Sequence, residues 1–461
     1  RPTWFGDWYR YGGGGHAWNS LVYDPEFNQI YFGTGNGYPW NQNFRSAGKG
    51  DNLFIASVLA VDADSGRYRW HYQETPGDSW DFDSVADITL VELTIDGRAR
   101  KVLLHAPKNG FFYVIERQTG RLLSATPYVP GVNWASRIDA TTGRPRIVSA
   151  AHYKDAPWTG SPGGGGGHNW NPVAFSPQTR LLYFAAAEDT TSYLPVKHYE
   201  YVEGLPSLGI DLFGEHPAAD GGPVAHTSAR SRSYLLAWDP VARKARWRAE
   251  GRGGGVLATA SDLVFQGRSR SGLLGELAAF RATSGESLWS YPTPQAILAG
   301  PITYSVAGVQ YVAASAGASI MSFDAEARAR TFGYVFAFSL KGTVTLPPDP
   351  PVAAPPNPPS APALAQAVSA GEERYGRLCA RCHGFRTQSP NVIPDLRRSA
   401  ALTDPETWHA IVIEGLLADR GMIGWDRFLT AAQAEEIRAY VGEQARTLRE
   451  HGLAGTGAAG N

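Results

Sequence analysis

The stretch LAVDADSGRYRWHY, Leu59 to Tyr72, holds an apolar strand, a turn containing Asp62 and Gly66, and a second strand closing on Trp70 and Tyr72. The pattern returns as YVIERQTGRLLSATPY from Tyr113, LLAWDPVARKARWRAE from Leu235 and LAAFRATSGESLWSY from Leu277. Turns of this kind suit hairpins, because Asp bonds the backbone through its side chain and Gly accepts a positive φ. Each copy reads as one hairpin of a larger sheet that cannot bury its own face. Such repeats predict sheets stacked radially as the blades of a β-propeller, with the recurring Trp packed between blades. An ordinary β-sandwich with coincidental hairpins is the competing arrangement, and the repetition weighs against it.

Composition agrees. Fourteen Trp, 21 Tyr and 52 Gly against two Met and two Cys describe a turn-rich, aromatic-rich β protein. A length of 461 residues predicts more than one domain. The formal net charge of −1 offers no overall field for holding nucleic acid or an anionic membrane. No run of about 18 apolar residues occurs, so no membrane span is expected. The sequence starts at Arg1 with neither an initiator Met nor a secretory signal, so processing or truncation is expected to have set that start.

From Leu346 to Pro362 the chain reads LPPDPPVAAPPNPPSAP, which favours extended polyproline II and lacks the backbone donors needed for packing. It divides the chain into a β region over 1–345, a linker over 346–362 and a second domain over 363–461. That second domain is rich in Ala, Glu, Arg and Leu at helical spacing. Helices are expected from Pro362 to Arg377 and from Ala431 to Leu448. A short third helix, TWHAIVIEGL, has its start marked by Thr403, Asp404 and Pro405.

Within this small all-α domain, Cys379-Ala380-Arg381-Cys382-His383 fits the CxxCH pattern. Two thiols one helical turn apart bond the haem vinyl groups, and the next residue, His383, ligates iron. A redox CxxC disulfide or half of a zinc site are the alternatives, but a second zinc-ligand pair is absent. Both cysteines are used here, so none remains for a disulfide framework. The sixth iron ligand is expected to be Met422, in GMIGWDRF, the only Met downstream. His/Met ligation suits an electron-transfer haem. With Ile393, Pro394, Asp395 and Leu396 between motif and Met, the domain resembles class I cytochrome c. Covalent haem attachment in that family occurs outside the cytoplasm, which implies a periplasmic location.

Three strings in the β region carry a further resemblance: GGGGHAWNSLVYDPEFNQIYFGTGNGYPWN from Gly12 to Asn41, ETPGDSWDFDS from Glu74, and LLHAPKNGFFYVIERQTG from Leu103. They resemble pyrroloquinoline quinone (PQQ) dependent alcohol dehydrogenases. With the cytochrome attached, nearly the whole chain is similar to the quinohaemoprotein (type II) alcohol dehydrogenases. The resemblance implies a mainly β fold, part of an eight-bladed-type propeller followed by a cytochrome c domain, with PQQ, Ca2+ and haem c as cofactors.

Position by position, the resemblance makes Trp18 the indole floor under the flat quinone, a use of offset stacking. Asn36, in Gly35-Asn36-Gly37, becomes a side-chain ligand of Ca2+. Asp81 becomes the catalytic base that takes the alcohol hydroxyl proton, and Lys108 the cation that hydrogen-bonds the quinone oxygens. Asn169 and Trp170, in GHNWNP, match a further cofactor-facing pair. Asp78 and Asp83 read as ordinary turn aspartates. The implied reaction turns an alcohol into an aldehyde by hydride transfer to PQQ with Ca2+ assistance, after which electrons leave singly through haem c.

The chain departs from the family in two ways. Arg1 aligns roughly with the middle of the family's propeller, so the resemblance implies that several N-terminal blades lie outside this chain. They normally carry an acidic Ca2+ ligand, further quinone contacts and a ring of two adjacent cysteines. His16 stands where the family usually has Thr. The run Gly163 to Gly167 lacks a phosphate-loop or dinucleotide context and reads as a flexible loop. Two functions follow as expectations: a periplasmic quinohaemoprotein alcohol dehydrogenase, or an electron-transfer cytochrome c whose propeller is a non-catalytic docking module. The expected partners are an alcohol and an external electron acceptor, whether cytochrome, copper protein or quinone.

Overall fold

A computed structural model describes residues 2–196, 199–201, 208–210, 232–271, 274–317, 333–346, 356–384, 387 and 393–456. Most of the Pro-rich linker lies outside the described residues. The chain forms two compact units, Arg1–Ala316 with Val335–Ser339, and Gly317–Tyr334 with Leu340–Asn461.

The first unit is built of antiparallel sheets that follow one another in chain order. The first blade pairs Val22–Asp24, Gln29–Gly33, Ser57–Asp62 and Tyr68–Gln73. The second pairs Thr89–Ile95, Arg98–His105, Phe111–Glu116 and Leu122–Pro127. The third takes Ala174–Ser176, Leu181–Glu188, Arg232–Asp239 and Lys244–Glu250, and the fourth Arg252–Ala258, Leu263–Ser271, Leu274–Arg281 and Ser287–Thr293. Ile302–Val306, Val309–Ala316 and Tyr334–Phe338 form a three-stranded fifth sheet. The four repeats are the last two strands of the first four blades, and the architecture is of propeller type.

The recurring aromatics set one blade against the next. Trp70 Nε1 donates to the Arg117 carbonyl at 3.0 Å, and Tyr31 Oη donates to the same oxygen at 3.0 Å. Two blades later, Trp247 Nε1 and Tyr183 Oη meet on the Ala282 carbonyl at 2.9 and 3.0 Å. Each indole lies where the turn of the neighbouring blade carries a glycine in the left-handed region, Gly120 at φ +72° and Gly285 at φ +76°. A Cβ there would stand 2.4 Å from Trp70 and 2.6 Å from Trp247, so only glycine leaves room for the ring. The apolar cores accordingly lie between blades: one between the first and second, one between the second and third around Phe112, Phe184 and Trp238, and one between the third and fourth around Tyr183, Leu235 and Phe280.

The second unit is helical: α1 Ala365–Leu378, α2 Ala380–His383, α3 Pro405–Val412 and α4 Ala431–Thr456. Gly371 lets α1 approach α4, because a Cβ would fall 1.9 Å from the Glu436 carbonyl oxygen. Asp404 caps α3, its Oδ1 accepting from Glu406 N and Thr407 N with Pro405 in the first turn. The helix ends sooner than the expected TWHAIVIEGL span, because Gly415 turns the chain at φ +74°. Trp408 Nε1 donates to the Ala434 carbonyl at 2.9 Å, seating α3 on α4.

One buried ion pair ties the first two blades. His105 Nδ1 lies 2.8 Å from Glu74 Oε1 and Nε2 lies 3.1 Å from the Ala86 carbonyl, so both ring nitrogens face acceptors. Burial alone would lower the His105 pKa, but Glu74 and the Ala86 carbonyl outweigh it and raise it. Because the folded value lies above the unfolded value of about 6.5, the pair's contribution is complete below that pH and is lost as pH rises through the folded value. Thermal melts from pH 6 to pH 10 should show the melting temperature falling on the alkaline side. H105Q, missing one partner of a buried pair, should cost about 3 kcal/mol and flatten that slope. An equal slope in wild type and H105Q would refute the assignment.

Candidate functional site

The segment between the first two blades carries Trp80, Asp81 and Phe82, and the second blade carries Lys108 in the turn after Arg98–His105. Lys108 is held from behind. Its carbonyl accepts from Gly167 N at 2.9 Å, and Tyr128 Oη donates to the preceding Pro107 carbonyl at 2.7 Å. Its ammonium lies 2.9 Å from Asp81 Oδ2 and 2.8 Å from Asp83 Oδ2. Asp83 Oδ1 in turn accepts from the backbone N–H of Asn36 at 2.5 Å. One buried lysine thus joins two carboxylates, and one of those joins the Gly35-Asn36-Gly37 turn.

Trp18 stands beside the same turn. A Cβ on Gly35 would be 3.6 Å from Trp18 Cδ1 and 3.1 Å from Asp83 Oδ1, and Gly35 N donates to the His16 carbonyl at 2.9 Å. The indole is 42% exposed, which leaves a ring face open for a flat partner. Trp170 is equally exposed. Asn169 Nδ2 donates to the Gly165 carbonyl and its Oδ1 accepts from Trp170 N, both at 2.9 Å, which leaves the amide a second N–H and a second lone pair.

The run Gly163 to Gly167, expected to be a flexible loop, is instead packed. Gly163 N donates to the Asp189 carbonyl and Gly166 N to the Gly163 carbonyl. Gly166, at φ +83°, lies against the lysine stem, where a Cβ would be 2.5 Å from Lys108 Cγ. The run is a wall made of backbone.

Two functional candidates were missed in the sequence. Asp83 and Asp78, read there as turn aspartates, are both buried. For Asp83 the spacing of two from Asp81 was the available signal. Burial pushes the Asp81 carboxyl up to about 7; Lys108 works against that and Asp83 with it. Burial pulls the Lys108 ammonium down, but Asp81 and Asp83 prevail and its pKa is raised. Asp81 Oδ2 is engaged by Lys108, and no described residue donates to Oδ1. The arrangement can therefore hold a proton acceptor beside a fixed positive charge. Asn36 Nδ2 donates to the Gly37 carbonyl at 3.0 Å, which turns its amide oxygen away from that bond and suits it to a hard cation.

In the helical unit, Cys379 closes α1 and Cys382 and His383 lie in α2. Both thiols are free, with Cys382 exposed. His383 Nδ1 lies 3.1 Å from the Pro394 carbonyl, which fixes the ring and leaves Nε2 for a metal. Burial lowers the His383 pKa, favouring the neutral imidazole that ligation requires. Met422 packs with Cys379, Leu396 and Trp425 against the same apolar core. Cys379 and Met422 on one core, with Cys382 and a fixed His383 imidazole in the adjoining helix, fit a covalently held haem.

Comparison with known proteins follows the same division. Residues 1–130 and 234–312 match the β-propeller domain family of glucose/ethanol/alcohol dehydrogenases that use PQQ. Residues 366–441 match the family described as cytochrome c oxidase, cbb3-type, subunit III. The chain is 40% identical over 455 residues to the quinohemoprotein alcohol dehydrogenase ADH IIB of Pseudomonas putida, covering 95% of this chain and 63% of that protein. It therefore spans less than two thirds of that relative's length. Quinohemoprotein alcohol dehydrogenase ADHIIG of Pseudomonas putida HK5 superposes with a TM-score of 0.82 at 36% identity, over 98% of this chain and 67% of that one. A europium-containing methanol dehydrogenase superposes with a TM-score of 0.59 at 31% identity, over 68% of this chain and 53% of that one.

The contact of Gly166 with the Lys108 stem yields a direct test. G166A adds a methyl with no space and a side chain in the left-handed region, and should lower stability by about 1–3 kcal/mol in urea unfolding. An unchanged midpoint would mean that the glycine run does not pack on Lys108.

Proposed function

The chain belongs to the family of PQQ-dependent quinohaemoprotein alcohol dehydrogenases, and from that membership we propose that it oxidises an alcohol to the aldehyde and passes the electrons through its own haem c to an external acceptor. The observation that carries the reading is the Lys108 ammonium held between Asp81 and Asp83, with Asp83 bonded to the Asn36 turn. A periplasmic location is part of the proposal, because the cytochromes c that this domain resembles acquire haem outside the cytoplasm. So is the division into a propeller over 1–345, a linker over 346–362 and a cytochrome c domain over 363–461.

Bound PQQ would supply a hydride acceptor, Ca2+ the polarisation of its reactive carbonyl, and haem c a one-electron exit. Asp81, with Oδ1 open, takes the hydroxyl proton in its ionised form. Lys108 holds that carboxylate in place through Oδ2 and keeps positive charge at the site, while Asp83 fixes the lysine from its other side. Trp18 provides the flat floor, and Asn169 with Trp170 a further pair facing the cofactor. Asn36 offers its amide oxygen to the cation. Cys379 and Cys382 would hold the porphyrin, and His383 and Met422 would ligate its iron.

For the cation a second reading has an observation behind it. Asp81 and Asp83 place two carboxylates against one ammonium, so the pocket carries excess negative charge, and more ligand charge favours a cation of higher valence. A europium-containing enzyme is among the relatives. A Tb3+ luminescence titration of the protein with PQQ, competed by Ca2+, checks this directly. Tb3+ should bind at least ~10-fold tighter than Ca2+, and D83N should shrink that margin. Equal affinities would leave Ca2+ as the cation.

The principal test follows the haem spectrum. After addition of PQQ, Ca2+ and a primary alcohol, the haem should become reduced. D81N should slow that reduction by about 10²- to 10⁴-fold while dithionite still reduces the haem at once. Haem that responds to dithionite but never to alcohol would favour an electron carrier with a docking propeller.

A further inference from the structure

We propose that Asp78 is a positioning residue for Asp81: its buried carboxylate holds the turn in which Asp81 adopts the left-handed conformation that brings it to Lys108. The inference rests on the reading of Asp81 as the base, and adds the part that aims it.

Asp81 sits at φ +69°, a conformation that a non-glycine residue keeps only when its surroundings enforce it. The enforcement is visible on both sides. Asp78 Oδ1 accepts from the N–H of Trp80 and from that of Phe82, each at 3.1 Å, so one oxygen grips the residues flanking Asp81. The neighbouring carbonyls are tied as well. Tyr153 Oη donates to the Ser79 carbonyl at 2.5 Å, Tyr193 Oη to the Trp80 carbonyl at 2.8 Å, and Asp83 N to the Asp81 carbonyl at 3.0 Å. Trp80 Nε1 donates to the Ala151 carbonyl at 2.7 Å, anchoring the side chain just before Asp81.

Asp78 is fully buried, and its second oxygen has no hydrogen-bond partner among the described residues. Burying a carboxylate is costly unless it is well compensated. Arg45, also fully buried, supplies nearby positive charge and donates through Nη2 to the Asp78 backbone carbonyl at 2.6 Å. The Arg45 guanidinium also donates to the carbonyls of Pro39 and Trp40, a few residues past the Asn36 turn. The clamp on the base and the segment that follows the cation turn therefore share one buried cation.

Amide hydrogen exchange of the whole protein separates this role from general stabilisation. In D78A the Trp80 and Phe82 amides should exchange at least ~10-fold faster while the blade strands keep their protection. Alcohol-driven turnover should fall about 100-fold in kcat with KM within about twofold, because a displaced base loses alignment and not substrate binding. D78N keeps the accepting oxygen and should hold both amides and kcat within about threefold of wild type. D78A with both amides still protected and kcat intact would overturn the proposal. So would a folded D78N protein that has lost that protection, which keeps the test decisive even where D78A does not fold. If the exchange results come out as expected but wild type turns over no alcohol, the clamp stands and the reading of Asp81 as base fails.

Discussion

Much of the propeller unit depends on a carbonyl that receives two donors from the blade before it. Arg117 and Ala282 each take an indole N–H and a phenol O–H, from Trp70 with Tyr31 and from Trp247 with Tyr183. Trp70 Nε1 and Tyr31 Oη also reach Gln29 and Asp24 of their own blade, whereas Trp247 Nε1 relies on the Ala282 carbonyl; a slip at that later seam would strand the indole donor, at a cost of about 1–3 kcal/mol. The glycine in each turn lets the ring come close enough to reach. This seam fixes where the second blade stands against the first, and so where Lys108 meets the segment carrying Asp81 and Asp83.

That segment puts three carboxylates within six residues, and their surroundings assign them different work. Asp78 is gripped by amides and shielded from solvent. Asp83 spends one oxygen on Lys108 and the other on the Asn36 amide. Asp78 and Asp81 each keep an oxygen that no described residue engages, but that of Asp78 is fully buried, while Asp81 is partly exposed at the site. Environment sorts chemically identical groups into scaffold and reagent.

The sequence disclosed the parts that depend on short-range pattern. The blade hairpins were legible because Asp, Gly and Trp recur at a fixed offset, and the haem motif because thiol spacing and the next His are local. Asp81 and Lys108 were legible through family resemblance. Asp78 and Asp83 were not, since their burial is created by Arg45, Lys108 and Asn36 from distant segments, and no local pattern separates a buried aspartate from an exposed one. The glycine run misled for a related reason. Backbone freedom was the visible property, while the reason for having no side chains lay on Lys108, over fifty positions earlier.

The glycine wall also limits how this region can be redesigned. A Cβ at Gly163 would meet Thr191 Oγ1 at 2.5 Å, and one at Gly167 would meet Tyr128 Oη at 2.8 Å. Gly164 is the exception in the run: a Cβ there would stand at ordinary contact distance, 3.4 Å from the Trp80 carbonyl oxygen and 3.7 Å from Asp81 Cβ. At Gly163 the Thr190 and Thr191 backbone also stands 2.8 Å away, so no side-chain change relieves the collision, whereas at Gly167 the near atoms all belong to the Tyr128 side chain; positions 167 and 128 should therefore behave as a coupled pair, with effects that do not add. Libraries built one position at a time would miss such solutions, and paired libraries would reach them.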